Sequence, residues 1–158
     1  MKGDATPTLS IVIPLYNEEE TVTELVERCV AAAEQTLQPF ELVLVDDHSS
    51  DGTWEKVTQA AIDSRVAPLR LDSNQGQSRA TRAGLARARG HWLVILDGDL
   101  QDPPELIPTL WQRAQSEDHD VIFATKGHSV GPWWFQIGQQ GYHMLQSIFG
   151  SGKMPAGG

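Results

Sequence analysis

Cations are scarce in this chain: 12 lysines and arginines stand against 21 aspartates and glutamates, for a formal net charge of −9. That balance argues against general nucleic-acid binding, which presents a basic surface to the phosphate backbone. A phosphorylated ligand stays open if a divalent cation or a local arginine cluster stands between it and the carboxylates. Cysteine is rarer still. The single thiol, Cys29, cannot close an internal disulfide, which agrees with a reducing compartment, and it reads as a small apolar residue on a helix. No apolar run approaches the ~20 residues of a membrane-spanning helix, and the start MKGDATPT lacks the basic and apolar stretches of a signal peptide, so a cytoplasmic protein is expected. The histidines (His48, His91, His119, His128 and His143) show no metal-ligand spacing. No serine, cysteine and histidine grouping suggests a nucleophilic triad, and no repeat at a solenoid period is present.

What is present is a regular alternation. At 158 residues and 40% hydrophobic composition the chain is long enough for one core and too short for two ordinary domains. Leu9–Leu15 (LSIVIPL) and Glu41–Val45 (ELVLV) are apolar, β-branched runs suited to strands buried on both faces. Val66–Leu71 is a weaker strand, His91–Leu96 (HWLVIL) a fourth, and Asp120–Ala124 a fifth. Between them, Val22, Leu25, Val26, Cys29, Val30 and Ala33 follow helical spacing from Glu18 onward. A second helix carries Trp54, Val57 and Ala61 with Ser50 or Asp51 as its cap, and an alanine-rich third runs to about Arg89. A fourth follows Pro103 and Pro104 through Leu106, Leu110 and Ala114. The pattern predicts an α/β fold with a mostly parallel sheet, helices on both faces and right-handed crossovers.

In such a sheet the ligand crevice lies beyond the carboxyl ends of the strands. The unusual polar residues fall there: Tyr16-Asn17-Glu18, Asp46-Asp47, Asn74-Gln75-Gly76 and Asp97–Asp102. In Asp97-Gly98-Asp99 two carboxylates separated by a glycine can turn toward one hard cation, and a carbonyl of Gln101 can join them. A nucleotide diphosphate would supply the remaining oxygens. The plain alternative is a turn, since Asp-Gly is among the commonest turn dipeptides; the position after a strand and beside three other polar rims favours the metal. Asp46 and Asp47 can accept hydrogen bonds from a base edge or ribose hydroxyls, and one of the two is expected to cap the following turn instead. Glu18 can contact ribose or simply favour a helix start. Arg79 and Arg82 are within the reach of phosphate by position, though most arginines of that helix are expected to be solvated.

Together SIVIPLYNEEE, LVLVDDHSSDGT, NQGQSRATRAGLARARG and WLVILDGDLQDPPE resemble the family 2 glycosyltransferases with the GT-A, Rossmann-like fold, over roughly residues 8–125. The resemblance implies that Pro14, Tyr16, Glu18, Asp46 and Asp47 surround the nucleoside; by their position Gly76 and Arg79 are expected to belong to the donor site as well. It implies that Asp97, Asp99 and Gln101 bind Mg²⁺ or Mn²⁺ with the diphosphate. The string DGDLQDPPE is most similar to the branch that transfers sugars to polyprenyl phosphates, including dolichyl-phosphate mannose synthases and bacterial undecaprenyl-phosphate transferases, with inversion at the anomeric carbon. The implied partners are a UDP- or GDP-sugar and a polyprenyl phosphate or other glycan acceptor, at the inner face of the cell-envelope membrane. An anionic phosphate acceptor needs positioning and charge screening more than a base; for a hydroxyl acceptor the candidate catalytic carboxylates are Asp99 and Asp102.

The expected organisation is a nucleotide-sugar-binding domain over 8–126, an aromatic-rich extension over 127–149 and a flexible tail over 150–158. After the fifth strand that branch carries phosphate-holding arginines, whereas this chain has Lys126, a point charge without the bidentate fork. The chain also stops where family members continue into the acceptor half, so a truncated or naturally shortened protein is expected. Trp133, Trp134 and Phe135 either complete the core or form a patch for a membrane surface, a partner chain or the missing half; a homodimer is a separate expectation. Two other functions compete: a catalytically silent nucleotide-sugar-binding module and a nucleotidyltransferase. The second would be favoured by a glycine-rich basic loop near the first strand, which Pro14–Glu18 does not provide. A Rossmann dehydrogenase lacks its GxGxxG.

Overall fold

The computed structural model describes residues 6–116 and 121–122. Strand β1, Leu9–Leu15, is buried at every position, as a strand covered on both faces must be. It lies between β2 (Phe40–Asp46) and β4 (Trp92–Ile95), and β3 (Val66–Arg70) flanks β2, giving the order β3-β2-β1-β4 with every neighbouring pair parallel. Helices α1 (Val22–Glu34), α2 (Thr53–Ala60) and α3 (Gln77–Arg87) supply the crossovers, and a 3₁₀ turn, Pro104–Leu106, leads into α4 (Ile107–Ser116).

Strand alternation sorts the core into two layers. Ile11, Ile13 and Leu15 face one way with Leu42 and Leu44, where Val22, Leu25 and Cys29 of α1, Val57 of α2 and Ile107 of α4 cover them. Val12, Val43 and Val45 face the other way onto Ala80 of α3. On that side α3 lies with its backbone almost on the sheet: a Cβ at Gly84 would collide with the side chains of Val12 and Val45, so only glycine fits there. The α/β sheet covered on both faces is the architecture expected from the alternation. Cys29 is fully buried on α1, and burial pushes its thiol up to about 12.

Several element ends differ from their expected positions for local reasons. Helix α1 starts at Val22 rather than near Glu18, because Asn17 takes a left-handed backbone at φ 54 and Glu18 C=O accepts the amides of Thr21 and Val22. Helix α2 has Gly52 at its N-cap with no capping side chain, although Asp51 accepts the Thr53 amide at 3.0 Å. Helix α3 ends at Arg87 rather than Arg89 because Ala88 turns extended. The chain then reaches the foot of the sheet, where Glu41, 3% exposed, accepts the Arg89 amide (2.7 Å), the Arg89 guanidinium and the Ser10 hydroxyl (2.7 Å). Gly90 N–H donates to Ser10 Oγ. Of the two prolines before α4, Pro103 caps and Pro104 opens a 3₁₀ turn, closed by Leu106 N–H on Pro103 C=O.

Val121 and Ile122 are in no strand, and the rest of the expected fifth strand lies outside the described residues, as do Lys126, Trp133, Trp134, Phe135, the 127–149 extension and the tail. Among the described residues no helix is long and apolar enough to cross a membrane.

Candidate donor and metal site

The strand order reverses at β1, which has β2 on one side and β4 on the other, so a crevice opens beyond the carboxyl ends at that switch point. A cleft of about 350 Å³ is found there. Pro14, Leu15, Tyr16 and Glu18 form its β1 wall, and Asp47 follows β2. Asn74, Gly76, Gln77 and Ala80 come from the β3–α3 loop and α3, and Asp97, Gly98 and Asp99 follow β4. Four carboxylates line it, and among the described residues no lysine or arginine does. Three of the four loops contain a non-glycine residue with positive φ: Asn17, His48 and Leu100, while Gly76 (φ 86) serves the remaining one. Left-handed backbone is costly for residues with a Cβ, and of the four such residues among those described only Leu37 lies away from this rim.

The β1 and β2 loops are bonded to one another. Asn17 N–H donates to Ser49 Oγ (2.9 Å), and Asn17 Oδ1 accepts the Ser50 amide (2.9 Å). Glu18 N–H donates to the fully buried Thr53 hydroxyl (2.8 Å), and Glu19 N–H to Asp51. Burial works to raise the Asp51 pKa, but hydrogen bonds from Thr53 and the Glu19 amide hold it below the usual carboxylate range. The Glu18 side chain accepts the Thr21 hydroxyl at 2.9 Å, leaving Glu18 fixed on the cleft wall.

The adjacent aspartates separate. Asp46 is fully buried and absent from the cleft wall: Oδ1 accepts the Ser49 amide (3.1 Å), and Oδ2 lies 3.0 Å from Arg70 Nε, an ion pair without aligned hydrogen-bond geometry. It takes the turn-capping role, and a direct contact with the nucleoside, implied by the resemblance, does not suit this placement. Asp47 does reach the cleft, while its carboxylate also accepts the amides of Gln75 (2.8 Å) and Gly76 (2.7 Å) and so anchors the third loop. The Gly76 amide is therefore engaged with Asp47. Arg79, on the first turn of α3, is exposed and is not among the residues of the cleft wall.

Asp97 and Asp99 both line the cleft. Between them Gly98 is pressed against β1: a Cβ there would meet Leu15 Cδ2 at 2.6 Å and Pro14 O at 3.1 Å. Asp99 Oδ1 accepts the Gln101 amide (3.0 Å), forming an Asx-type turn around Leu100 at φ 60. Asp97 Oδ1 accepts Gln77 Nε2 at 2.6 Å. Gln101 is exposed beside them, and Asp102 is half-buried off the cleft wall. Among the described residues no three histidine, cysteine, aspartate or glutamate side chains form a metal-binding group. The donor set is two hard carboxylates in a cleft whose charged residues, among those described, are all anionic, which fits a hard cation whose other ligands come from a bound anion.

Gln77, Thr21 and Thr53 escaped the sequence reading. The cue was available for Gln77, which opens a helix directly after a glycine at a strand end, where a long polar side chain overhangs the crevice. The two threonines sit at helix starts, where a hydroxyl reads as an ordinary cap.

A parallel α/β sheet with an acidic crevice at its switch point defines the class: an α/β domain of Rossmann-like build. The family is narrower. Residues 10–154 match glycosyl transferase family 2, and the chain belongs to that family. It is 44% identical over 144 residues to an undecaprenyl-phosphate 4-deoxy-4-formamido-L-arabinose transferase of Pectobacterium carotovorum, covering 90% of this chain and 44% of that protein. The enzyme of the same name from Serratia proteamaculans is 41% identical over 128 residues, covering 80% and 39%. The chain thus spans about two fifths of the length of these relatives. Among solved structures, a Pyrobaculum calidifontis mannosyltransferase in complex with GDP-Man and Mn²⁺ aligns with TM-score 0.56 and 24% identity, covering 70% of this chain and 33% of that one. Glucosyl-3-phosphoglycerate synthase from Mycobacterium tuberculosis, bound to Mn²⁺ and UDP, aligns with TM-score 0.58 and 22% identity, covering 71% and 41%. These two likenesses establish the GT-A fold.

Proposed function

We propose that the cleft binds a nucleotide sugar through a divalent cation, Mg²⁺ or Mn²⁺, and that the chain is the donor-binding portion of an inverting transferase acting on a polyprenyl phosphate. The observation that carries this is the lining of the cleft: four carboxylates, no basic side chain among the described residues, and the Asp97-Gly98-Asp99 loop pressed against the end of β1. A diphosphate entering such a site unaccompanied would be repelled. The cation would be held by Asp97 and Asp99, with Gln101 adjacent, and when bound it would screen the charge gathering on the departing diphosphate.

The remaining residues bind and orient. Pro14 and the half-exposed Tyr16 offer an apolar wall for the base, and Glu18 and Asp47 offer acceptors for its N–H groups or for ribose hydroxyls. The curated relatives support a lipid-phosphate acceptor, since both are named for undecaprenyl phosphate and a formamido-arabinose. A phosphate oxygen is already anionic near neutral pH and attacks without a general base. Asp99 and Asp102 would be called on as bases only for a hydroxyl acceptor. Such an acceptor places the chain peripherally at the cytoplasmic face of a membrane.

Calorimetric titration with UDP, GDP and their sugars, with and without Mn²⁺, tests the donor reading. The expected result is nucleotide binding that requires the metal; binding of equal strength without it would sink the assignment. Release of nucleotide on adding a polyprenyl phosphate distinguishes a transferase from a silent binding module.

A further inference from the structure

We infer that Gln77 is a positioning residue for the cation, its side-chain amide setting the Asp97 carboxylate from across the switch point; this rests on the metal reading of the cleft. Gln77 is the first residue of α3 and follows Gly76, whose φ of 86 turns the chain into the helix mouth. Its Nε2 lies 2.6 Å from Asp97 Oδ1, and both residues line the cleft. An ionised carboxylate only accepts hydrogen bonds, so the amide nitrogen must be the end that faces it.

The two aspartates are oriented from different places. Asp99 is held by its own turn through the Gln101 amide. Asp97 is held by a residue 20 positions earlier, on another element. The spacing of the two carboxylates therefore depends on where α3 begins, and α3 begins on the loop that Asp47 anchors through Gln75 and Gly76. A neutral amide suits this task. It fixes the carboxylate and leaves its charge intact, whereas an ammonium or guanidinium at the same place would cancel charge that a cation needs. The bond is exposed to solvent, where a hydrogen bond adds little net stability. Its contribution is orientation, the part played by partners that hydrogen-bond metal-ligating carboxylates.

The test measures Mn²⁺ affinity of the 158-residue chain in the presence of UDP or GDP, by calorimetry and by Mn²⁺ electron paramagnetic resonance. Gln77→Met keeps length and helix propensity but removes the donor. Gln77→Lys keeps a donor and adds charge. We expect Gln77→Met to weaken Mn²⁺ binding by about 10- to 100-fold, with thermal stability unchanged, and Gln77→Lys to weaken it further. Mn²⁺ affinity within twofold of the parent in Gln77→Met overturns the inference alone. So does a loss of affinity that merely tracks a fall in thermal midpoint, which would make Gln77 structural. A parent chain that binds no Mn²⁺ overturns both this inference and the metal reading.

Discussion

On the β1–β2 side of the cleft, loop is bonded to loop by side chains that lie off the cleft wall: those of Asn17, Ser49, Thr53 and Asp51, with Glu19 accepting the Gly52 amide. On the β3–β4 side the contacts are carboxylates reaching across gaps: Asp47 to the amides of Gln75 and Gly76, Gln77 to Asp97, and Asp99 to its own turn. Burial follows the same division. Every residue of β1 is buried, whereas no residue of β4 is, and Leu93 is 47% exposed. The first side is preorganised by hydrogen bonds that a ligand need not disturb. The second is organised by the groups that the proposed cation and diphosphate would recruit, so binding there would be coupled to local order.

Asp99→Ala should have the largest effect, abolishing metal-dependent nucleotide binding while the thermal midpoint stays put, because the side chain is exposed and stabilises only its own turn. Calorimetry and thermal melting together check it; unchanged affinity would remove Asp99 from the metal set. Asp47→Ala comes next. It deprives the Gln75 and Gly76 amides of their acceptor and removes a cleft acceptor at the same time. An affinity loss of about 10-fold or more, equal to the ~1.4 kcal/mol expected of a charge-assisted hydrogen bond, should appear with faster amide exchange over 74–76. Unaltered exchange there would break the claim that one carboxylate anchors that loop.

A third perturbation reaches β4 from its other end. Burial works against the Glu41 charge, but hydrogen bonds from Ser10 and from the Arg89 amide and guanidinium outweigh it and hold its pKa below the ordinary glutamate value. With the folded pKa depressed, the contribution is fully present above the unfolded value near ~4.3 and is lost as pH falls through the folded one. Glu41→Gln should cost about 2 kcal/mol at pH 7. The gap between variant and parent should close on acidification, as read from denaturant melts at pH 7 and pH 3. A gap independent of pH would mean that packing rather than charge ties the start of β4.

Much of this was legible in the chain because buried parallel strands are written as unbroken apolar runs. LSIVIPL and ELVLV can hardly be anything else, and polar residues placed directly after them mark the crevice. The roles of Asp46 and Asp47 were not separable in sequence. Successive strand residues face opposite ways, but which of two aspartates meets Arg70 and which meets the third loop depends on strand order, and order is set by packing. Gln77 was hidden for a similar reason: its partner follows a strand that comes next to β1 only through the reversal of strand order. The start of α1 was missed because the acidic run Glu18–Glu20 suits a helix N-terminus, while the left-handed turn at Asn17 delays it.

The smallest effect on nucleotide affinity is expected at Thr53, and it bears most directly on the contrast between the two sides. Its hydroxyl is fully buried, accepts the Glu18 amide and donates to Asp51. Thr53→Val keeps the shape and strands both partners, so a loss of about 1–2 kcal/mol is expected from the unsatisfied groups. Thr53→Ser keeps the hydroxyl and should lose less. Because these bonds lie behind the cleft wall rather than in it, Mn²⁺-dependent nucleotide affinity should change less than twofold in a Thr53→Val chain that is still folded. Thermal melts beside calorimetry read both quantities. If affinity instead fell as far as in Asp47→Ala with stability intact, the β1–β2 side would be as ligand-dependent as the β3–β4 side, and the division between a preformed wall and a recruited one would fail.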